Sequence, residues 1–539
     1  MRPVVAAGDL LDDLAVGARL LRRLPGYLRR PIGVEAARAI LERRLARRRE
    51  DFLALARTAI FDHGRSPYAA LLRLAGCEYG DVARLVERDG VEGALGVLAG
   101  HGVYLTVDEF RGRRPVVRGR VTIAVTPDHL RNPLVAPALW LRTGGSRGPA
   151  LRVPVDLTSC GDRAVNTCLV FAARGGMRWR KAVWSTPGLG TFLRHAGFGE
   201  PMARWFSQVD PGTAGLEARF RWSVRGVRWI SVLAGVPLPA LEHVPLGDPL
   251  PIARWMAETL RAGAVPHLWA FPSSAVRLCR AAASAGIDLA GAELTVTGEP
   301  VTSARLAAIG ASGAHALPDY GSADSGGFIA YGCLAPEAPD DVHVMDDLNA
   351  LIQADGRLAA MPAGTLLVTS LRASAPFVLL NVSLGDAASL VDRRCGCPLE
   401  ALGWPRHLHT IRSHEKLTAG GAAFLDSDVV QILEEALPRR FGGGPTDYQL
   451  LEEEGEGGRP RLRLLVHPDV GPVDGEAVMD AFLQAIGAES GMLRVMALQW
   501  RDGGLLGVER RPPLTTGSGK ILHLHVARGA ARREAPWPV

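Results

Sequence analysis

The sequence predicts an α/β protein whose C-terminal end forms a smaller α+β unit. Between about residue 112 and residue 411, short β-like runs alternate with helical segments, an order typical of a mainly parallel sheet covered by helices. After residue 412 the pattern changes to a hairpin followed by one helix. The chain has 539 residues, 47% of them hydrophobic and 22% charged, which excludes a collagen-like, coiled-coil or wholly disordered protein.

The N-terminal segment is predicted to be helical. Apolar residues recur at intervals of three or four over residues 8–100, so we expect a helical lead-in over 1–110 that opens a domain over 1–411. An arginine-rich stretch at residues 18–50 is expected to be a solvated helix face; an arm that binds a membrane or RNA is the alternative. The net charge of +6 is too small for this length to indicate a nucleic-acid partner.

Strands and helices are predicted along the rest of the chain from their apolar patterns. The predicted strands are Val116–Val125, Leu151–Leu157, Val165–Ala172, Glu293–Val296, Leu366–Leu371 and Phe377–Val382. The predicted helices between them include Ile252–Ala262 and Ser274–Ala285. In the C-terminal unit, over 412–539, we expect a hairpin of Tyr448–Leu451 and Leu462–Val466, a helix Glu476–Ile486 and a strand Leu493–Trp500.

The number of cysteines and the lengths of the apolar runs indicate the cellular compartment in which we expect the protein. Seven cysteines are few and odd in number, so we expect a reducing compartment and no disulfide framework. The N-terminal segment lacks a cationic region followed by an apolar run, as a signal peptide would have. No apolar run approaches the ~20 residues of a membrane helix. We therefore expect a cytoplasmic protein with no membrane partner.

Two glycine-rich segments carry groups that bind anions. The first consists of Thr143, Gly144, Gly145, Ser146, Arg147 and Gly148, whose backbone N–H groups and hydroxyls could face a phosphate. The second, at 514–521, ends in Lys520 on a glycine-rich turn, where a lysine could act as a mobile point charge. Neither matches a Walker A loop. Taken alone, the first is as readily an ordinary turn and Lys520 a surface lysine.

Three further segments each follow an apolar, strand-like run, the position at which α/β sheets bind ligands. They are Gly298-Glu299-Pro300, the segment of Tyr320, Gly321, Ser322 and Asp324, and the Gly-Asp pair that ends in Asp386. Tyr320 could stack on a base, Asp324 could hold Mg²⁺, and Asp386 could accept hydrogen bonds from ribose hydroxyls. Each segment taken singly is as readily a plain loop.

The order and spacing of these motifs resemble the adenylate-forming enzymes, which include acyl-CoA ligases, nonribosomal-peptide adenylation domains and luciferases. The resemblance covers roughly residues 50–525. Within this group the chain most resembles the phenylacetate–CoA ligase branch. That branch resemblance depends on the sequence HGRSPY at 63–68, Gly-Glu-Pro at 298–300, Cys333 with His343, and Cys-Gly-Cys at 395–397.

The resemblance implies a large N-terminal adenylate-forming domain and a small mobile C-terminal lid. It implies that the loop from Thr143 to Gly148 holds the β- and γ-phosphates of ATP. The adenine pocket would be lined by Gly298, Glu299 and Pro300. Tyr320 would pack on adenine with Gly321 and Ser322 beside it, Asp324 would stand near Mg²⁺, and Asp386 would bind the ribose. Arg412 would mark the hinge, with Glu415 near the family's hinge aspartate, and Lys520 would be the catalytic lysine that the lid delivers.

The implied reaction activates a carboxylic acid with ATP and Mg²⁺, giving acyl-AMP and pyrophosphate. The acyl group would then pass to the thiol of CoA or of a carrier-protein phosphopantetheine; an amine acceptor is the alternative. The resemblance also suggests a homodimer. Three departures leave a non-catalytic scaffold protein open: Arg147-Gly148-Pro149 replaces Gly-Lys, Asp324 replaces glutamate, and Asn381 replaces an arginine five residues before Asp386.

A second set of residues has the chemistry of a zinc site. Cys395 and Cys397 lie on one tight turn, so both thiolates can face one point, and Cys333 with His343 could complete four ligands. The resemblance implies that such a zinc ion is structural. The alternative is that these are ordinary core cysteines and that His343 is a surface histidine.

Aromatic residues are dense between the loop that ends at Gly148 and the segment Gly298-Glu299-Pro300. In the family, this region builds the carboxylate pocket. They are Trp179, Trp184, Phe192, Trp205, Phe206, Phe220, Trp222, Trp229, Trp269 and Phe271. Such a lining would suit an aryl or apolar acid, and plain core packing is the alternative. The cations Arg178, Arg180, Lys181 and Arg194 lie among them and could meet a CoA phosphate or face water.

Overall fold

The computed structural model describes residues 7–142, 151–186, 188–210, 218–356, 358, 361–413, 418–419, 422–423, 428–454, 460–489, 500–501, 506–516 and 518–526. The predicted phosphate loop from Thr143 to Gly148 and the hinge residue Glu415 lie outside these residues. So does the predicted strand Leu493–Trp500, apart from its last residue.

Helices cover the N-terminal segment and then alternate with strands. They are α1 Ala7–Leu28, α2 Val34–Ala46, α3 Arg48–Ala56, α4 Pro67–Leu74, α5 Tyr79–Gly100, α6 Val107–Phe110, α7 Leu157–Ala173, α8 Leu189–Ala196, α9 Ala218–Leu233, α10 Leu250–Arg261, α11 Pro272–Ser284, α12 Ser303–Gly310, α13 Asp428–Gln431, α14 Leu437–Phe441 and α15 Gly475–Glu489. Single π-helical turns lie at Arg57–Phe61 and Ile432–Ala436. Helices therefore cover most of residues 7–110, where the sequence predicts a helical lead-in.

The strands form one large sheet, one small sheet and three two-stranded ribbons. They are β1 Val116–Arg118, β2 Val121–Ile123, β3 Leu139–Arg142, β4 Arg152–Val155, β5 Arg180–Ser185, β6 Arg204–Ser207, β7 Leu241–His243, β8 Pro266–Ala270, β9 Glu293–Val296, β10 His315–Ser322, β11 Gly327–Gly332, β12 Val342–Val344, β13 Asn349–Gln353, β14 Thr365–Ser370, β15 Val382–Asp392, β16 Arg406–Ser413, β17 Thr418–Ala419, β18 Ala422–Ala423, β19 Tyr448–Glu454, β20 Pro460–Val466, β21 Leu506–Arg510 and β22 Leu524–Val526.

The large sheet has 12 strands in the order β13-β14-β15-β16-β12-β11-β10-β9-β8-β5-β6-β7. The half from β7 to β10 is parallel, because its strands are joined by helical crossovers. The other half is antiparallel. The sheet is therefore mixed, as the predicted α/β fold with mixed and parallel strands requires.

Two strand predictions are wrong. Val165–Ala172 belongs to α7, which Asp156 caps by accepting a hydrogen bond from Ser159 N at 2.7 Å. Both faces of this helix are buried, so its apolar residues form a continuous run that cannot be told from a buried strand by period alone. Phe377–Val382 is irregular up to Asn381, whose left-handed backbone, φ 52°, precedes the start of β15.

The C-terminal unit has its own sheet and core. Its four strands lie in the order β21-β20-β19-β22, and β19 and β20 form the predicted antiparallel hairpin. Buried side chains of the sheet pack against α15, including Leu450, Leu464 and Phe482. The fold is thus a large α/β body with a separate small α+β unit. No described helix has the length and apolarity that a membrane span needs.

Candidate active site

A cavity of about 480 Å³ opens at the carboxyl ends of the parallel strands, around β5 and β8. These neighbours mark the point at which the strand order reverses, because the chain runs outward from β5 to β7 and then returns to β8 beside β5. The crevice at such a point is where open α/β sheets bind ligands. The topology alone therefore identifies this cavity as the candidate site.

The cavity collects all the described residues that the sequence singled out for nucleotide binding. They are Gly298, Glu299, Pro300, Tyr320, Gly321, Ser322, Asp324, Asp386, Arg412 and Lys520. They come from the ends of β9, β10, β15 and β16 and from the C-terminal unit, so residues over 220 positions apart in sequence share one site. Their individual roles stay predictions.

Lys520 reaches the cavity from the C-terminal unit. Its Nζ lies 4.8 Å from the centre of the Phe271 ring, and a Cβ at position 298 would lie only 2.8 Å from this Nζ. Gly298 also has φ +79°, a left-handed conformation that favours glycine. Gly519, with φ +83°, packs so closely on Gln208 that a Cβ would lie 2.2 Å from its Oε1. The two glycines therefore allow the lysine to approach the sheet edge.

A buried group of charged residues fastens the C-terminal unit in this position; we call Glu299, Arg305, Glu434 and His523 the docking cluster. Arg305 lies 2.8 Å from Glu299 and 2.7 Å from Glu434, with both carboxylate side chains at 0–1% exposure. Glu434 also contacts His523 Nε2 at 2.6 Å. Burial raises the pKa of Glu434, but Arg305 and His523 outweigh it, and the net pKa lies below the ordinary value.

Glu299 therefore has a use that its sequence motif did not indicate. Its carboxylate accepts hydrogen bonds from Ser273 N at 2.9 Å, from Ser273 Oγ at 2.8 Å and from Ile521 N at 2.9 Å. Ile521 directly follows Lys520, so this carboxylate holds the backbone next to the lysine. Although Glu299 lines the cavity, its oxygens are engaged by the protein.

Tyr320 and Asp386 form a polar pair at another part of the cavity wall. The Tyr320 hydroxyl donates to Asp386 Oδ2 at 2.9 Å. Burial, reinforced by the nearby Asp386, raises the pKa of Tyr320 well above its ordinary value, so the phenol stays protonated and keeps donating. The contact orients the carboxylate and presents the tyrosine ring to the cavity.

Asp324 is already paired with a cation. Arg111 Nη2 donates to Asp324 Oδ2 at 2.7 Å, and the Asp324 side chain is only 3% exposed. The guanidinium thus takes a position at this carboxylate that a metal ion would otherwise occupy. Sequence reasoning missed Arg111, because nothing in its neighbourhood links it to a residue more than 200 positions away.

Asp340 clamps the end of β16, where the hinge was predicted. Its carboxylate accepts from Thr410 N at 2.9 Å and Ile411 N at 2.7 Å, and Arg412 Nη1 lies 3.3 Å from Oδ2. Thr410 has φ 55°, which is rare for a β-branched residue. Arg412 itself lies in β16, a strand of the large sheet that ends at Ser413. No local motif marked Asp340.

Structure comparison aligns this chain with several solved ligases. One is a 2-hydroxyisobutyryl-CoA ligase in complex with 2-HIB-AMP and CoA: 14% identity, TM-score 0.44, covering 92% of this chain and 88% of that chain. Another is the O-succinylbenzoate coenzyme A synthetase of Bacillus subtilis in complex with ATP and magnesium: 13% identity, TM-score 0.41, covering 72% and 70%. A third is an anthranilate CoA ligase with anthranoyl-AMP: 11% identity, TM-score 0.42, covering 80% and 74%.

These are acyl-CoA ligases. They are of the kind that the sequence motifs indicated, and the phenylacetate–CoA ligase-like branch stays a prediction. No protein-family model and no curated protein matches the chain.

The aromatic residues between the motifs divide between core and cavity. Trp184, Trp205, Phe206 and Phe192 are buried in the hydrophobic core at 0–1% exposure. Trp269 and Phe271 line the cavity, Trp229 is 72% exposed, and the side chains of Phe220 and Trp222 lie outside the described set. Core packing is therefore the role of four of these ten rings, and two others face the site.

The four cations among these aromatics also differ in their surroundings. Arg178 and Arg180 are exposed. Lys181 is buried and lies 3.1 Å from Glu200 Oε2, while Arg194 is buried and lines the cavity. Arg194 therefore neither faces water nor lies at the surface, where it could bind a CoA phosphate. The hydrophobic residues around it in α8 gave no sign of this in the sequence.

The predicted zinc ligands converge on one point. Cys333, His343 and Cys395 lie together with His407, their ligand atoms all within 4.8 Å of one another, and Cys397 Sγ lies 3.2 Å from His343 Nε2. His343 donates from Nδ1 to the Trp404 carbonyl at 2.6 Å, which leaves Nε2 to bind a metal. His407, which the sequence analysis missed, makes its own contact to Asp341 through Nδ1 at 2.8 Å.

The donor set fits zinc. Thiolates and imidazoles are the ligands zinc prefers in structural sites, and a carboxylate behind a histidine is a common support for one. His407 Nε2 is buried and has no hydrogen-bond partner in the described part of the chain, so a metal would satisfy it. Five donors are present for four positions, and Cys397 and His407 compete for the last.

Proposed function

We propose that this chain is an adenylate-forming ligase that activates an aryl or apolar carboxylic acid with ATP. The observation that carries the proposal is Lys520, which a separate C-terminal unit inserts into a cavity at the switch point of the sheet. Three lysines stand among the 62 Lys and Arg residues of this chain. Arginine is therefore its ordinary cation, and a lysine here supplies a compact ammonium that can approach two oxygens at once.

The first half-reaction joins two anions. A carboxylate oxygen of the acid attacks the α-phosphorus of ATP, the bond from that phosphorus to the bridging oxygen breaks, and pyrophosphate leaves. The ammonium of Lys520 would lie between carboxylate and α-phosphate and stabilise the charge that develops there. Fixing both reactants in one cavity removes much of the entropy cost of bringing them together.

The nucleoside would lie against Tyr320 and Asp386. The tyrosine ring offers a flat surface for adenine, and the carboxylate of Asp386, oriented by the tyrosine hydroxyl, can accept hydrogen bonds from ribose hydroxyls. Thr143 to Gly148 would hold the outer phosphates by backbone N–H groups. Mg²⁺ would bind at Asp324 by replacing the guanidinium of Arg111, and would neutralise phosphate charge there.

The second half-reaction passes the acyl group to a thiol. The sulfur of CoA or of a carrier-protein phosphopantetheine attacks the acyl carbon, the bond to AMP breaks, and the thiol proton is released. This step requires an open route to the acyl carbon. We propose that the C-terminal unit swings about the chain after Arg412, withdrawing Lys520 and opening that route.

Pyrophosphate release tests the first half-reaction. The purified chain is given ATP, Mg²⁺ and a panel of aryl, fatty and amino acids, with hydroxylamine to trap acyl-AMP as a hydroxamate. We expect release that depends on one class of acid. Adding CoA, a phosphopantetheinylated carrier protein or an amine then identifies the acceptor, and a product formed with amine alone would establish the amide-forming alternative.

A non-catalytic scaffold is the second candidate, and one observation favours it. Arg111 occupies the carboxylate predicted to hold Mg²⁺, so an inactive protein would leave this ion pair intact. The scaffold predicts no acid-dependent pyrophosphate release from the wild type or from Arg111→Ala. The ligase predicts release from the wild type and a changed dependence on Mg²⁺ concentration in Arg111→Ala.

We also propose a structural zinc ion held by Cys333, His343 and Cys395, with Cys397 or His407 as fourth ligand. Such an ion would join β12 and β16, which carry His343 and His407, to the turn after β15, and it would leave no open position for catalysis. Metal analysis should find about one zinc per chain. Cys395→Ser with Cys397→Ser should remove it and lower Tm, and a native protein without zinc would refute the assignment.

A further inference from the structure

The inner end of the cavity is a small space whose wall carries both polar and aromatic side chains. Five residues line both this space and the main cavity: Arg163, Arg194, Trp269, Asp319 and Phe328. Its own volume is about 20 Å³, and a water molecule needs roughly 10–15 Å³ of such volume. The space therefore admits a group of one or two heavy atoms that belongs to a larger molecule in the main cavity.

Several buried polar atoms around this space lack partners; we call Arg194, His195, His267 and Asp319 the inner niche. Arg194 Nε, Nδ1 of both histidines and Asp319 Oδ1 have no hydrogen-bond partner among the residues that the structure describes. The four residues are 7%, 2%, 1% and 5% exposed. A buried polar atom without a partner keeps the cost of having lost its hydrogen bond to water, so a ligand that satisfies these atoms gains binding free energy.

The charges of the inner niche restrict that ligand. The Arg194 guanidinium lies 4.4 Å from the centre of the Phe328 ring and has no ion-pair partner in the described ranges. Burial raises the pKa of Asp319 to about 7, with lowering contacts from Thr297 and Arg194. The Arg194 guanidinium would repel a protonated amine, and the Asp319 carboxylate would repel a second carboxylate. A neutral hydroxyl satisfies both sides, because it accepts from Arg194 and donates to Asp319.

The surrounding side chains favour a ligand in which this hydroxyl is attached to an aromatic ring. Trp269 and Phe328 face each other edge-on at 5.5 Å, and Phe171 completes the wall. His267 and Trp269 lie on one face of β8, with His267 at the inner end, and Phe271, beside Lys520, directly follows the last strand residue, Ala270. The four residue steps from 267 to 271 span about 13 Å of extended chain, so one substituted ring fits between the lysine and the inner niche.

We propose that the acid activated by this chain is a hydroxyaryl carboxylic acid whose hydroxyl group binds between Arg194 and Asp319. This inference rests on the proposed function, since it names the substrate class of the same site. The carboxylate would lie at Lys520, the ring against the cavity side of Trp269 and Phe328, and the hydroxyl in the inner niche. Arg194 and Asp319 then determine specificity and do not take part in the chemical step.

Paired substrates test the proposal on the wild-type chain. Acid-dependent pyrophosphate release is measured with benzoate, phenylacetate and cinnamate and with their 3- and 4-hydroxy derivatives. We expect kcat/KM for one hydroxy acid to exceed that of its parent by about 100-fold, because a site built to bond a hydroxyl leaves buried polar atoms unpaired with the parent acid. Wild-type preference does not depend on any variant folding.

Two variants assign the preference to its residues. Arg194→Leu and Asp319→Leu should each lower kcat/KM for the hydroxy acid and raise that for the parent, which reverses the preference. Arg254→Leu, at an exposed arginine of α10, should leave the preference unchanged. If Arg194 and Asp319 had a purely structural role, the Leu variants would instead lower kcat/KM equally for the hydroxy acid and for its parent.

The outcomes separate this inference from the proposed function. Release with the parent acids at rates equal to or above those of the hydroxy acids overturns the inference and leaves the ligase standing, with water as the occupant of the inner niche. Release with none of the acids, while ATP is bound, overturns the proposed function for aryl acids and this inference with it.

Discussion

The docking cluster and the inner niche are both buried and charged, yet they differ in how their charges are satisfied. In the docking cluster, Arg305 lies within 2.8 Å of two carboxylates. In the inner niche, Arg194 has no ion-pair partner among the described residues, and Asp319 Oδ1 has no donor. Buried charges that are fully paired fix a conformation, whereas unpaired ones in a cavity are suited to a ligand. The difference separates the part that positions Lys520 from the part that selects the acid.

The largest effect is expected at the residue that the docking cluster positions. Lys520→Ala should lower acid-dependent pyrophosphate release about 1,000-fold, equivalent to about 4 kcal/mol, because the ammonium acts on charge that develops in the transition state. ATP binding, measured by calorimetry, should change little. The conservative Lys520→Arg should recover only part of the rate, since a guanidinium is larger and spreads its charge. Unchanged release in Lys520→Ala would exclude the lysine from the reaction.

The next effect tests whether the docking cluster holds the two units together. Arg305→Met keeps an unbranched side chain but removes the guanidinium that pairs with both Glu299 and Glu434. We expect unfolding free energy to fall by about 3 kcal/mol, and adenylation to fall with it because Ile521 and Lys520 lose their support. Denaturant unfolding checks the first expectation.

The matched control for Arg305→Met is Arg254→Met at the exposed arginine of α10, which should cost little. A double variant with Glu434→Gln should lose less stability than Arg305→Met alone, since one uncompensated charge is removed. A loss in the double variant equal to the sum of the losses in Arg305→Met and Glu434→Gln would show that the two residues are not coupled.

A smaller effect of opposite sign is expected in the inner niche. The pKa of Asp319 is raised by burial to about 7, so between about pH 4 and pH 7 the folded chain keeps a proton that the unfolded chain releases. Unfolding free energy should therefore fall as pH rises through this window. Asp319→Asn cannot ionise, and should be more stable than wild type at pH 8, with little difference at pH 4.

The other groups around Asp319 do not change this expectation. Arg194 stays charged over this pH range, and burial holds the pKa of His195 and of His267 well below the ordinary value, so both histidines are neutral. Thermal unfolding at pH 4, 6 and 8 gives the comparison, with the exposed Asp62→Asn as control. A pH-independent difference between Asp319→Asn and wild type would contradict the raised pKa.

The sequence predicted the parts of the fold that have a local pattern. The hairpin of β19 and β20, the helices α10 and α11 and the strand β9 were all visible as periodic or alternating runs. α7 was missed because it is buried on both faces, and burial on all sides removes the period that identifies a helix. Tertiary context, not local propensity, decided that segment.

The candidate site divides in the same way. Glycine-rich and acidic segments after strands were visible, and the structure brings Gly298, Tyr320 and Asp386 to one cavity with Lys520. The docking cluster and the inner niche were not visible, since their members come from distant segments and each is an ordinary residue in its own neighbourhood. Arg305 and His523, for example, are 218 positions apart.

The smallest effect is expected at a partly exposed ion pair across the same interface as the docking cluster. Arg280 contacts Asp447 of the C-terminal unit through two parallel hydrogen bonds of 2.9 and 2.7 Å, but its side chain is 41% exposed. Solvent screens such a pair, so Arg280→Ala should cost only about 0.5–1 kcal/mol and leave adenylation within about twofold of wild type. Raising salt should weaken this contact further and leave the docking cluster unaffected. If Arg280→Ala lowered the unfolding free energy as much as Arg305→Met does, the pair of Arg280 and Asp447, and not the docking cluster, would be the main contact that holds the C-terminal unit.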